Sequence, residues 1–271
     1  MEVAQGRSLF ALLLALPLFA APSGTDGVCL DERPAAIREL ADALRDASGE
    51  WRENAVLPTH GDFLDPVAAL DGLAQQDRLR WTRHDDEKCG AMVATAAAVA
   101  GGRERFGALL SKLEAKAANQ FQPALRRARA AFDANRLTAG DLHRVSEVLY
   151  STYVGGHDGS SDGDISKMVR ASGYKRIATT AKTPRELVGL MQPGDAFPLN
   201  VYLEQAPVFV GWHVVLVWKD AAGVARVYDS DKFKGPQVFA DGGTPFADTY
   251  IDWVSPGEKI AAEWKPGTLY R

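Results

Sequence analysis

The apolar positions of this chain change their spacing as it proceeds. Leu9 to Ala20 is an almost unbroken apolar run, long enough for the core of an export signal and short for a membrane span. From Pro34 the spacing turns helical: Ile37, Leu40, Ala41 and Leu44 share a face, and Gly49 ends the pattern. Residues 50–80 carry Pro58, Gly61 and Pro66, then a short helical pattern over Val67 to Leu73. Residues 90–100 are nearly all Ala, Val, Met and Thr, closed by Gly101-Gly102. A helix that is apolar all round belongs in the interior. Two amphipathic helices are predicted next, on Phe106, Leu109, Leu110 and Leu113 and on Leu125, Ala128 and Phe132. Thr138 with Asp141 opens another, Asp164 is expected to cap a short helix ending at Gly173, and Thr183-Pro184-Arg185-Glu186 is a strong start signal for one ending near Met191. The later pattern is that of strands, predicted at Phe197–Leu203, Trp212–Trp218, Val224–Asp229 and Thr249–Val254. Helices followed by antiparallel strands make an α+β layout.

Composition bounds this picture without altering it. The chain has 271 residues, 46% of them hydrophobic, enough for one sizeable core. A net charge of −4 gives no general reason to bind nucleic acid or an acidic membrane, and the basic outer faces around Arg103 to Arg129 read as solvated helix surface. Arg7 before the first apolar run and the small residues at Ala20, Ala21 and Ser23 predict a signal peptide over 1–23 and a secreted or periplasmic protein, with no further contact with a membrane. Residues 24–80 read as an N-terminal helical arm and 81–271 as the main domain. His60, His84, His143 and His157 have no metal-ligand spacing. The front of a calcium loop at Asp158–Asp164 lacks its bidentate Glu, with Val169 in that place. No metal or cofactor is expected.

Only two cysteines occur, Cys29 and Cys89. In an exported protein a lone pair suggests a disulfide. Cys89 also begins the buried helix, where unpaired N–H groups and the positive end of the dipole favour a thiolate. Its own backbone N–H is placed to donate to an oxyanion. The strands around Asp220-Ala221-Ala222-Gly223 form a hairpin. If 219 pairs with 223, His213 lies opposite Asp229; a glycine-bulge turn shifts the pairing by two and sets Asp231 there instead. Both carboxylates share a parity, so an imidazole–carboxylate pair survives either register. Such a pair fixes the tautomer and aim of the imidazole, whose other nitrogen can take a proton from a nucleophile.

A Cys at the start of a buried helix, a His in a late strand and an Asp in the next strand follow the chain order of papain-like enzymes. Lys88-Cys89-Gly90-Ala91-Met92, Ile165 to Gly173, Thr183 to Met191 before Pro193-Gly194, Gly211-Trp212-His213-Val214-Val215 and Val227-Tyr228-Asp229-Ser230-Asp231 resemble the bacteriocin-processing (double-glycine) cysteine peptidases. The resemblance spans about residues 80–231, with a helical insertion near 103–136. It implies a papain-like α+β fold, a helical lobe carrying the Cys helix packed on a twisted antiparallel sheet. It implies Cys89 as nucleophile, His213 as base and Asp229 as the orienting residue, acting on a peptide or protein substrate through a thioester. The family's oxyanion Gln, six positions before the Cys, is Arg83 here, and Gln75 and Gln76 are too far upstream; Arg83 or His84 would have to donate instead. The alternative is an inactive papain-like domain with a Cys29–Cys89 disulfide that binds a peptide or protein partner.

Overall fold

A computed structural model describes residues 54–80, 88–155, 159–181, 183–205, 208–230, 236–239, 258–262 and 268–271. The expected signal peptide, the helix at Pro34, Cys29, Arg83, His84, Asp231 and the strand at Thr249–Val254 lie outside these residues.

The described residues form a mixed α+β structure with seven α-helices and antiparallel sheets. A small hairpin, β1 (Thr59–His60) and β2 (Phe63–Leu64), leads into α1 (Pro66–Arg80). Asp65 opens α1, its carboxylate accepting from the N–H groups of Val67 and Ala68. Then come α2 (Cys89–Ala100), α3 (Gly102–Lys116), α4 (Gln122–Asp133) and α5 (Ala139–Tyr153). The predicted start of α5 is present as a full capping box between Thr138 and Asp141. Helix α6 (Asp162–Ala171) corrects one expectation. Its N-cap is Ser161, and Asp164 closes the capping box from the third helical position. The hydroxyl accepts from the Asp164 N–H, which Asp164 itself cannot do from inside the first turn. Helix α7 (Pro184–Leu190) starts as read, with Thr183 accepting from the Glu186 N–H.

The large sheet holds β3 (Arg176–Ala178), β4 (Ala196–Gln205), β5 (Val208–Lys219), β6 (Ala225–Tyr228), β7 (Gln237–Val238), β8 (Glu258–Ala262) and β9 (Thr268–Tyr270). Its order is β3-β9-β4-β5-β6-β7, every pair antiparallel, with β8 alongside the far end of β4. Strands β3, β7 and β9 have two or three residues each. Such stretches carry too little periodicity to be read from sequence.

Alternation along β4 and β5 divides the interior in two. Val214, Leu216 and Trp218 face a large core shared with the helices; Val215 and Val217 face a smaller one with Leu187, Met191, Phe197 and Leu199. Helix α2 is the axis of the large core. Every residue from Gly90 to Val99 is buried, and the helix packs on α5, α6, α3, α1 and β5. Leu57, Phe63, Leu64, Leu70 and Leu73 belong to the same core, as do Phe106, Leu113, Leu125 and Phe132. The later part of the expected N-terminal arm and the helices read as an insertion therefore contribute side chains to this same core.

Candidate functional site

The site is assembled from the two layers. Helix α2 brings Cys89 to the lobe's end. Cys89 is a free thiol, partly buried against the large core. Lys88 precedes it as N-cap and provides no side-chain hydrogen bond to the helix, so the first N–H groups of α2 get no capping from that residue. Residue 90 must be glycine. A Cβ there would lie 2.7 Å from Ser160 Cβ and 2.9 Å from Ile165 Cγ1. The segment leading into α6 thus presses directly on the turn that carries the thiol.

Strand β5 brings His213, and the chain just past β6 brings Asp229. Both are buried, 4% and 2% exposed, and His213 Nε2 lies 2.7 Å from Asp229 Oδ1. The register that produces this pair is the shifted one. Lys219 pairs with Ala225, Val217 with Val227 and Leu216 with Tyr228, instead of 219 with 223. The cause lies in the turn. Asp220 Oδ1 accepts from the N–H groups of Ala222 and Val224, the Asp220 N–H bonds the Val224 carbonyl, and Gly223 takes φ +79°. This five-residue closure uses two more residues than the tighter turn. The ladder ends at Tyr228, and Asp229 then reaches His213 diagonally rather than from directly opposite. A diagonal neighbour on the same face is within reach of such side chains.

Two sets of contacts tie α2 and its neighbours to the sheet and the turn before it. Near its C-terminal end, Tyr174 Oη is 3.1 Å from the carbonyls of both Ala97 and Gly194, and burial pushes this phenol far above its usual range. Near its N-terminal end, Ser160 lies on Gly90, and two residues on, Asp162 Oδ1 accepts from Asn200 Nδ2 of β4. Through Ser160 and Asp162 the Cys89 turn is thus connected to Asn200, which pairs with Val214 on β5, next to the Val201–His213 pair.

The structure joins His213 to Asp229 and ties the Cys89 turn, through Ser160 and Asp162, to Asn200 of β4. It makes no hydrogen bond to the thiol among the described residues. By strict alternation His213 has the parity of Val215 and Val217, the side away from α2. Three residues earlier the register slips: Leu203 pairs with Gly211 and Glu204 with Phe209, leaving Val210 as a bulge. From Gly211 onward the pairing with β4 is regular, so the bulge leaves the parity of His213 unchanged.

Asn200 was not singled out from sequence, and Ser160 and Asp162 entered only as part of the calcium-loop pattern at Asp158–Asp164. A signal existed for Asn200, the lone side-chain amide inside the apolar run Phe197–Leu203. Among the described residues no group of three or more His, Cys, Asp or Glu is arranged to hold a metal, and no helix is long and apolar enough to cross a membrane. An open groove of about 430 Å³ lies elsewhere, lined by Ile177, Thr179, Leu190, Leu269 and Arg271. Comparison with protein-family models, with curated proteins and with solved structures gives no match for this chain.

Proposed function

We propose that this protein is a papain-like cysteine hydrolase, secreted or periplasmic, that cleaves peptide or amide bonds with Cys89, His213 and Asp229. The observation that carries the reading is the buried His213–Asp229 pair at 2.7 Å, in a chain whose Cys89 is a free thiol at a helix N-terminus. With Nε2 committed to Asp229, proton exchange with the thiol falls to Nδ1. The Cys89 proton passes to Nδ1 and the thiolate adds to the carbonyl carbon. His213 returns the proton to the leaving amine as the C–N bond breaks, leaving a thioester. Water, deprotonated by His213, then releases the acid and restores the thiol. The N–H of Cys89 supports the oxyanion. The missing thiol–imidazole hydrogen bond is compatible with this chemistry, because such contacts in unliganded enzymes are often long and tighten only with substrate.

A second reading has its own observation. The parity of His213 with Val215 and Val217 suits a structural clasp within the sheet, in a non-catalytic domain that binds a peptide or protein partner, with Cys29 bridged to Cys89. Labelling with an electrophilic amide mimic separates the two. The hydrolase reading requires labelling of the native protein, loss of it in Cys89→Ala, and slow labelling in His213→Ala. Equal labelling of native protein and Cys89→Ala removes the nucleophile. An intact mass that gains no alkyl groups until a reductant is added establishes the bridge.

A further inference from the structure

We propose that Asn200 and Asp162 form a latch that positions the Cys89 turn against the strand carrying His213. This inference rests on the hydrolase reading and adds two positioning residues to it. The thiol and the imidazole come from different layers, so their separation depends on how the lobe and sheet are held together at that level. At the opposite end of α2 the tie is Tyr174, which lies against carbonyls of both layers. Near Cys89 the tie is the Asn200–Asp162 hydrogen bond. Asn200 lies opposite Val214, and the adjacent Val201 lies opposite His213. Asp162 lies in the first turn of α6, two residues from Ser160, which sits where a side chain on Gly90 would be. The path from the strand to the nucleophile's neighbour thus runs through one hydrogen bond and one close contact.

Two features show how closely this segment packs on the Cys89 turn. Ser160 Oγ is buried and has no hydrogen-bond partner among the described residues, an arrangement that costs free energy and persists only where surrounding contacts enforce it. Gly90 has given up its side chain to admit this segment. The Ser161–Asp164 capping box stiffens the same turn, so a pull on Asp162 reaches Ser160 with little slack. Misplacement of a reacting group by about 1 Å can cost about a hundredfold in rate.

The test is the pH profile of Cys89 alkylation by iodoacetamide in the full-length protein, with Cys29→Ser as background. A thiol paired with an imidazole stays reactive well below the ordinary thiol range of about 8.5. The latch predicts this acid limb in the parent and in Asp162→Asn, whose amide oxygen still accepts from Asn200. Asn200→Ala and Asp162→Ala should each lose about tenfold or more of the rate near pH 6 with little change in thermal midpoint, and the double variant should lose no more than either single one. If one alanine variant fails to fold, the other breaks the same bond from the opposite partner. An unchanged acid limb in a folded alanine variant overturns the latch while leaving the hydrolase reading intact. A parent with no acid limb, matched by His213→Ala, overturns both.

Discussion

The helical lobe and the antiparallel sheet bury similar kinds of residue by different rules. Helix α2 is buried on every side and carries one polar side chain in its interior, Thr95, bonded to Ser146 of α5. Strand β5 is also buried but serves two cores, Val214 and Leu216 on one face, Val215 and Val217 on the other. A uniformly apolar helix can offer chemistry only at its ends, where backbone groups are unpaired. A strand can hold a buried ionisable side chain mid-sheet, because the neighbouring strand supplies its partner. That is why the thiol sits at a terminus and the imidazole within a ladder.

The comparison predicts that the lobe fails by losing volume and the sheet by losing a partner. The largest effect is expected from Phe106→Ala. Phe106 is fully buried, with ring centroids 5.8 Å from Phe63 and 5.9 Å from Phe132, and its truncation should cost about 3–5 kcal/mol in urea unfolding. A cost below about 1 kcal/mol would mean the three rings do not form one packed unit. Asp229→Ala removes the acceptor of a buried ring nitrogen and should cost about 1–3 kcal/mol, whereas Asp229→Asn should retain more of the stability. On the hydrolase reading the Asn variant still labels Cys89 slowly, because a neutral acceptor no longer stabilises an imidazolium. Native-like labelling in Asp229→Asn would reduce the pair to a structural clasp.

The seam between the regions gives a smaller effect with a pH signature. Burial raises the Tyr174 phenol above its ordinary value, so the folded state holds this proton more tightly than the unfolded chain. Its contribution is intact below the unfolded value of about 10 and declines as pH rises above it. Tyr174→Phe should cost about 1 kcal/mol at neutral pH and flatten the alkaline fall in urea midpoint between pH 9 and 11. A parallel fall in both proteins would assign the alkaline loss to other groups. The smallest effect belongs to Ser161→Ala at the start of α6. It should cost about 0.5–1 kcal/mol for a lost N-cap, visible as a modest drop in thermal midpoint.

The order of helices then strands, the burial of α2, the start signals at Thr138 and Thr183 and the parity of His213 with Asp229 were legible in the sequence. Each depends on neighbours a few residues apart, or on a period of 3.6 or 2 that the chain itself displays. The register of the β5–β6 hairpin was readable only as two alternatives, since the choice lay in the Asp220 side chain folding back on Val224. The short strands β3, β7 and β9 exist because longer strands or one another offer open edges, and nothing in their own two or three residues announces them. The ties between the helical layer and the sheet were likewise invisible. Tyr174 and Asn200 make them through contacts 77 and 38 residues apart in sequence, and only packing two layers face to face brings such positions together.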